Sequence, residues 1–216
     1  MGGPHPKVLL VEGDEDKRVI PYLIEANGVR WGEPHEPKVV HIETYDGVEN
    51  LLAPGQIETQ LKAAGLKALG VLIDADEDAM SRWQAVRARA LKRFPGLSPV
   101  LLPGGLVHEE GGLRFGVWIM PDNQSRGMLE TFLTFLRPAS NPALNAHALE
   151  SCAKAKALSA PYKDVHADKA HIHAWLAWQD PPGRQIHQAV LERLLDPSSP
   201  HAAPFVAWFK DLFALP

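Results

Sequence analysis

The chain has 216 residues, 45% of them hydrophobic and 22% charged, with a formal net charge of −4. That length and apolar content suit one globular domain with a sizeable core, or a domain with a small extension. The acidic balance excludes a global pull toward nucleic acid, so such a contact needs a local basic patch or bridging cations.

In chain order, the first half alternates short apolar runs with helical patterns. Residues 7–13 read as a buried strand and 16–28 as a helix. In that helix Val19, Ile20, Leu23 and Ile24 share a face, Pro21 sits near the start and Gly28 is a stop. A polar loop with Pro34 and Pro37 leads to a second strand at 39–42, closed by Tyr45-Asp46-Gly47. A helix over 57–64 ends at Gly65, a third strand spans 69–73, and the next helix spans 79–94. This alternation predicts a parallel α/β sheet.

After Pro95-Gly96 the pattern changes. Residues 99–102 read as a short strand, 104–112 as glycine-rich, with His108-Glu109-Glu110 in a loop, and 113–120 as a strand. The two strand-like runs form a hairpin or an edge pair in this reading. A helix over 128–136 follows. Beyond Pro138 only helical patterns remain, at 143–157, 167–179, 185–195 and 204–215, separated at Pro161, Pro181-Pro182-Gly183 and 197–200. The expected organisation is an α/β core over 7–137 and a helical C-terminal extension over 138–216 packed on it, or one unit throughout. The apolar last segment, with Phe205, Val206, Trp208, Phe209, Leu212 and Phe213, closes the core or forms the face of a homo-oligomer. No apolar run approaches the ~20 residues of a membrane helix. The N-terminal Met1-Gly2-Gly3-Pro4-His5-Pro6-Lys7 lacks the pattern of a signal peptide. With the single cysteine Cys152, these features predict a cytoplasmic protein without an intrachain disulfide.

Two acidic clusters stand directly behind apolar runs. Glu12 follows Val8-Leu9-Leu10-Val11, and Asp74, Asp76 and Asp78 follow Val71-Leu72-Ile73. In a parallel sheet, ligands bind beyond the carboxyl ends of the strands. If the chain stays extended through residue 76, Asp74 and Asp76 point the same way, because side chains alternate with period two. Carboxylates gathered in a dry cleft repel one another and raise one another's pKa unless a cation is present. All-oxygen ligation suits Mg²⁺ or Mn²⁺. Glu12, Asp74 and Asp76 are therefore candidate metal ligands.

At this point the sequence resembles the Toprim domain shared by topoisomerases, bacterial primases and the nuclease module of OLD-family proteins. The matching residues are Leu10-Val11-Glu12-Gly13 and Ile73-Asp74-Ala75-Asp76. Asp16, in an E-G-x-x-[D/E] arrangement, and Asp78 extend the match toward the OLD-like branch. So do Ile119-Met120-Pro121-Asp122-Asn123 and Gly127-Met128-Leu129-Glu130, which look like the downstream acidic motif of small OLD-like proteins. Lys169, in ADKAHIHAWLAWQ, stands where OLD-like nucleases carry a late lysine. The resemblance covers roughly 7–137, and most of the chain if the small proteins are meant. Full-length OLD proteins carry an ATPase. This chain has no G-x-x-x-x-G-K-[ST], so an ATPase, if needed, is a separate subunit.

The resemblance implies a Toprim-like fold and metal-assisted phosphodiester cleavage of DNA or RNA, with one or two cations, a pair being ~3.5–4 Å apart. It places Glu12, Asp74 and Asp76 at the first metal, with Glu12 alternatively the general base. Asp16, Asp78, Asp122 and Glu130 become candidates for a second site or its surroundings, and Lys169 the stabiliser of transition-state charge. On the helix over 79–94, Arg82, Arg89 and Arg93 fall at i, i+7 and i+11 on one face, a candidate basic stripe.

Each assignment has a plainer alternative. Asp14, Asp16 and Asp78 suit helix caps, Asp122 a turn, and Glu130 a first helical turn favoured by the macrodipole. His171 and His173, two apart on a helix, face different ways. Cys152 has no paired histidine motif, and Trp175, Trp178 and Trp208 suit packing as well as base stacking. The competing function is a non-catalytic Toprim module that binds nucleic acid or regulates a partner ATPase in a defence-type assembly. A phosphohydrolase with an aspartyl nucleophile would need its D-x-D on the first strand, where Glu12-Gly13 stands.

Overall fold

The computed structural model describes residues 5–33 and 35–216. Residues 1–4, part of the stretch read for a signal pattern, and Pro34 of the polar loop lie outside the described residues. Five strands form one sheet: β1 (Lys7–Val11), β2 (His41–Thr44), β3 (Ala68–Asp74), β4 (Leu106–Glu110) and β5 (Leu113–Met120), in the order β2-β1-β3-β5-β4. β1 runs parallel to β2 and β3, and β3 to β5, while β4 and β5 form an antiparallel pair. The helices are α1 (Asp14–Ala26), α2 (Val48–Leu51), α3 (Gln56–Gln60), α4 (Ala79–Ala90), α5 (Leu129–Thr134), α6 (Pro142–Ala157), α7 (Ala167–Leu176), α8 (Ile186–Leu191) and α9 (Ala203–Leu212). The molecule is thus α/β, with a mostly parallel sheet flanked by helices and a helical C-terminal part.

β1 and β3 read as unbroken apolar runs because both their faces are covered. Leu9, Val11, Leu72, Trp118 and Met120 face one layer, which includes residues of α1 and of α5 through α9. Val8, Leu10, Leu69, Val71, Phe115, Val117 and Ile119 face the other, built on α2, α3 and α4. Phe205, Val206, Trp208, Phe209, Leu212 and Phe213 are buried in the first layer, so the last helix closes the core. It does so over a glycine notch. Gly70 and Gly116 are paired across β3 and β5, and a Cβ on them would lie 2.9 and 2.6 Å from Leu212 Cδ2.

Several elements differ from the sequence expectation. Residues 99–102 are not a strand, and the partner of β5 is 106–110, which includes the expected loop His108-Glu109-Glu110. The Pro99 carbonyl accepts from Trp83 Nε1 and Gln84 Nε2, and the Leu97 carbonyl from Arg87, so this segment hangs on α4. The β4 sequence hides its strand character because it is an edge, where charged Glu109 and Glu110 discourage further pairing. α1 starts two residues early, which puts Pro21 in its interior. β2 begins two residues late, α2 was not expected, and α3 is shorter than the pattern. Among the described residues no helix is long and apolar enough to cross a membrane.

Candidate functional site

β1 leads to β2 on one side and β3 lies on the other, so the strand order reverses between the carboxyl ends of β1 and β3. A crevice opens at such a switch point. Glu12 leaves β1 there, and its Oε1 accepts the Asp74 N–H at 2.7 Å. Asp16, in the first turn of α1, turns back so that its Oδ2 accepts the Gly13 N–H at 3.1 Å. Asp74 ends β3, and its Oδ1 accepts the Leu129 N–H at the start of α5, 2.9 Å away. Among the described residues its Oδ2 has no protein donor. The next residue, Glu130, is only 4% exposed, and its Oε1 receives Lys169 Nζ at 2.8 Å. Thr131 ties these last two elements together. Its hydroxyl accepts the Met128 N–H at 3.0 Å and donates to Asp168 Oδ2 at 2.7 Å, which sets α5 against α7.

Glu12, Asp16, Asp74, Glu130 and Lys169 line one cleft of about 310 Å³. Burial pushes Asp74 well above the carboxylate range, and the charges of Asp16, Glu12 and Glu130 add to this. Burial likewise raises Asp16 to about 7, against the Gly13 N–H and with help from Glu12 and Glu130. Glu12 is also raised, chiefly by burial, although the Asp74 N–H pulls the other way. For Lys169, burial favours the neutral amine, but the hydrogen bond and charge of Glu130, with Glu15 and Asp74, prevail and hold it protonated. The cleft is therefore an electrostatically unsatisfied set of hard oxygen donors facing one ammonium. Among the described residues, however, no three carboxylate, imidazole or thiol groups already converge into a cation cage.

The structure does not bring every expected residue here. β3 stops at Asp74, and Asp76 takes a left-handed conformation with φ of 50°. The extended chain that would align Asp74 with Asp76 is absent. Asp76 exchanges two backbone hydrogen bonds with Gly127, at 2.9 and 2.8 Å, and its carboxylate pairs with Arg82. Its charge still reaches Glu12, whose pKa it raises. Asp78 does not line the cleft. It caps α4, with Oδ1 accepting the Met80 and Ser81 N–H groups at 2.9 and 3.2 Å. Asp122 holds a turn, accepting from Gln124 and Ser125 at 3.0 and 2.7 Å, and it too lies outside the cleft lining. The basic stripe is partly spent: Arg82 on Asp76, Arg89 on the Leu52 carbonyl and Arg93 on Glu110. His171 faces Asp168 at 3.5 Å while His173 is exposed. Trp175 and Trp208 are core residues, and burial raises the Cys152 thiol.

Three acidic lining residues, Asp14, Glu15 and Asp46, lie outside the expected ligand set. Asp46-Gly47 follows β2 as Glu12-Gly13 follows β1, at the same sheet edge, and that parallel was the available signal.

The family model described as a protein of unknown function, DUF3226, matches residues 6–214, and the chain belongs to that family. No curated protein and no solved structure matches it.

Proposed function

We propose that this family member is a Mg²⁺- or Mn²⁺-dependent phosphodiesterase acting on nucleic acid, a nuclease of Toprim-like, OLD-like character. The observation that carries the reading is the convergence of Glu12, Asp16, Asp74 and Glu130 on one cleft at the strand-order reversal, with Lys169 beside them. Buried carboxylates that raise one another's pKa fit a divalent cation, which offsets their repulsion and binds hard oxygen donors. Glu12, Asp16 and Asp74 would hold it, with Glu130 alongside. When bound, such a cation supplies Lewis-acid polarisation of a phosphoryl oxygen and lowers the pKa of water. The chain's own groups do the rest. Glu12, partly open to the cleft, is alternatively placed to take a proton from the attacking water instead of holding the cation. Lys169, whose ammonium lies 2.8 Å from Glu130 Oε1 at the cleft, would supply the positive charge that stabilises the transition-state phosphate.

A second reading is a non-catalytic module that binds nucleic acid or regulates a separate ATPase subunit. It is favoured by the pairing of Lys169 with Glu130, which leaves the site internally neutralised in part. Incubation of wild type and Asp74→Asn with plasmid DNA and single-stranded RNA in Mn²⁺ separates the two. Cleavage by wild type that is abolished in Asp74→Asn is the expected outcome. Cleavage that persists in the variant contradicts this assignment of the site.

A further inference from the structure

On the opposite helical layer, α3 and α4 enclose a cavity of about 370 Å³ lined by Lys62, Arg89, Lys92 and Arg93, with Glu58 the one carboxylate among its lining residues. Arg89 stands in the last turn of α4, and Lys92 and Arg93 in the turn directly after it, so that all three line the recess. The surrounding bonds fix part of this set and leave part free. Arg89 anchors its Nε on the Leu52 carbonyl at 2.9 Å, which orients the rest of the guanidinium. Glu58 spends Oε2 on the Gly55 N–H at 3.1 Å. Arg93 is held by Glu110 at 3.2 Å. Among the described residues Lys62 and Lys92, both exposed, carry no ion pair. A chain of net charge −4 thus concentrates cations at one recess.

We infer that this recess is a phosphate-binding exosite that grips the backbone of a nucleic-acid strand whose scissile bond lies in the acidic cleft. The inference rests on the reading of that cleft as a nuclease site. The geometry connects the two. α4 follows β3, whose last residue Asp74 lines the cleft, and Arg89 lies eleven residues beyond the cap residue Asp78, roughly 16 Å along the helix axis at ~1.5 Å per residue. At the ~3.4 Å of axis per phosphate of one strand in a duplex, that length corresponds to about five phosphates, and to fewer in an extended single strand. Guanidinium and ammonium groups pair with phosphate oxygens, so the contact is with the backbone and is indifferent to sequence.

The test is fluorescence anisotropy of a labelled single-stranded 12-mer, titrated at several salt concentrations in EDTA, with wild type, Lys62→Ala/Lys92→Ala and Lys62→Arg/Lys92→Arg. Both lysines are exposed, so the variants keep the fold, and a thermal melt checks this. Loss of two phosphate contacts flattens the plot of log affinity against log salt by about 1.4, at ~0.7 per contact for single strands. The arginine pair restores the slope. An unchanged slope for the 12-mer in the alanine pair overturns the exosite, and so does absence of 12-mer binding by wild type in EDTA. Cleavage is scored separately with Asp74→Asn: its loss with an unchanged slope retains the nuclease reading alone, and a flattened slope without any cleavage retains the exosite alone.

Discussion

Asp16 and Asp74 are carboxyl groups that folding buries beside one another and beside Glu12 and Glu130. The pKa of Asp16 rises from 3.8 to about 7 on folding, first through burial and then through Glu12 and Glu130. Between those values the folded chain holds a proton that the unfolded chain releases, so stability falls as pH rises through that window. Below about pH 3.8 both states are protonated and the penalty is absent. In EDTA the melting temperature is therefore expected to drop as the pH is raised from 5 to 7.5, and Asp16→Asn flattens the slope. Mn²⁺ raises the melting temperature more at pH 7.5 than at pH 5. Differential scanning calorimetry at the two pH values checks both. A melting temperature that climbs with pH in EDTA contradicts the geometry described for Asp16. At this scale Glu12 and Asp74 were readable in the sequence because each stands behind an apolar run at one sheet edge, and Asp16 through the resemblance. The conformation of Asp76 was not, since it depends on Gly127, far along the chain. Gly127 has φ of 135°, and a Cβ there would come within 2.6 Å of Thr131 Oγ1. Glu130 and Lys169 sit on different helices, and only the resemblance pointed to both of them.

At the scale of elements, α9 and the sheet meet through a fit between Leu212 and two glycines. A Cβ on Gly116 would lie 2.6 Å from Leu212 Cδ2 and 3.0 Å from its Cγ. Gly116→Ala should cost about 1–3 kcal/mol through overpacking. Leu212→Ala should cost about 2–5 kcal/mol through lost burial and a cavity. Because the two side chains compete for the same space, the double substitution is expected to cost less than the sum. Urea denaturation of the three variants measures this, and strict additivity contradicts the notch. The apolar stripe of α9 was plain from Phe205, Trp208, Phe209 and Leu212, but nothing local said that it lands on Gly70 and Gly116. The misplaced edge strand has a similar origin. Pro99-Val100-Leu101-Leu102 is apolar and strand-like by composition, yet its backbone carbonyl at Pro99 is taken by α4. Leu106–Glu110 is half charged and pairs anyway.

At the scale of the molecule, the C-terminal helices complete the layer that holds the cleft. Lys169 reaches the site from α7, and Thr131 and Asp168 lock that helix to α5. One face of the sheet rests on Phe205, Phe209, Leu212 and Phe213. A chain ending at residue 137 is accordingly expected to lack a cooperative urea transition and near-ultraviolet circular dichroism. A cooperative transition in that fragment shows that the α/β part stands alone. The strand and helix alternation made the class of fold readable in advance. How far the helical part shares the core was left open, because helical periodicity tells which face is apolar and not what it meets.

The cleft at the ends of β1 and β3 is expected to bind a divalent cation through Asp74 and its neighbours. Isothermal titration of Mn²⁺ into wild type, Asp74→Asn and Asp78→Asn addresses it most directly, since Asp78 caps a helix outside the cleft. Binding by wild type and Asp78→Asn, and none by Asp74→Asn, is the expected result. No binding by wild type, or equal binding by all three, contradicts it.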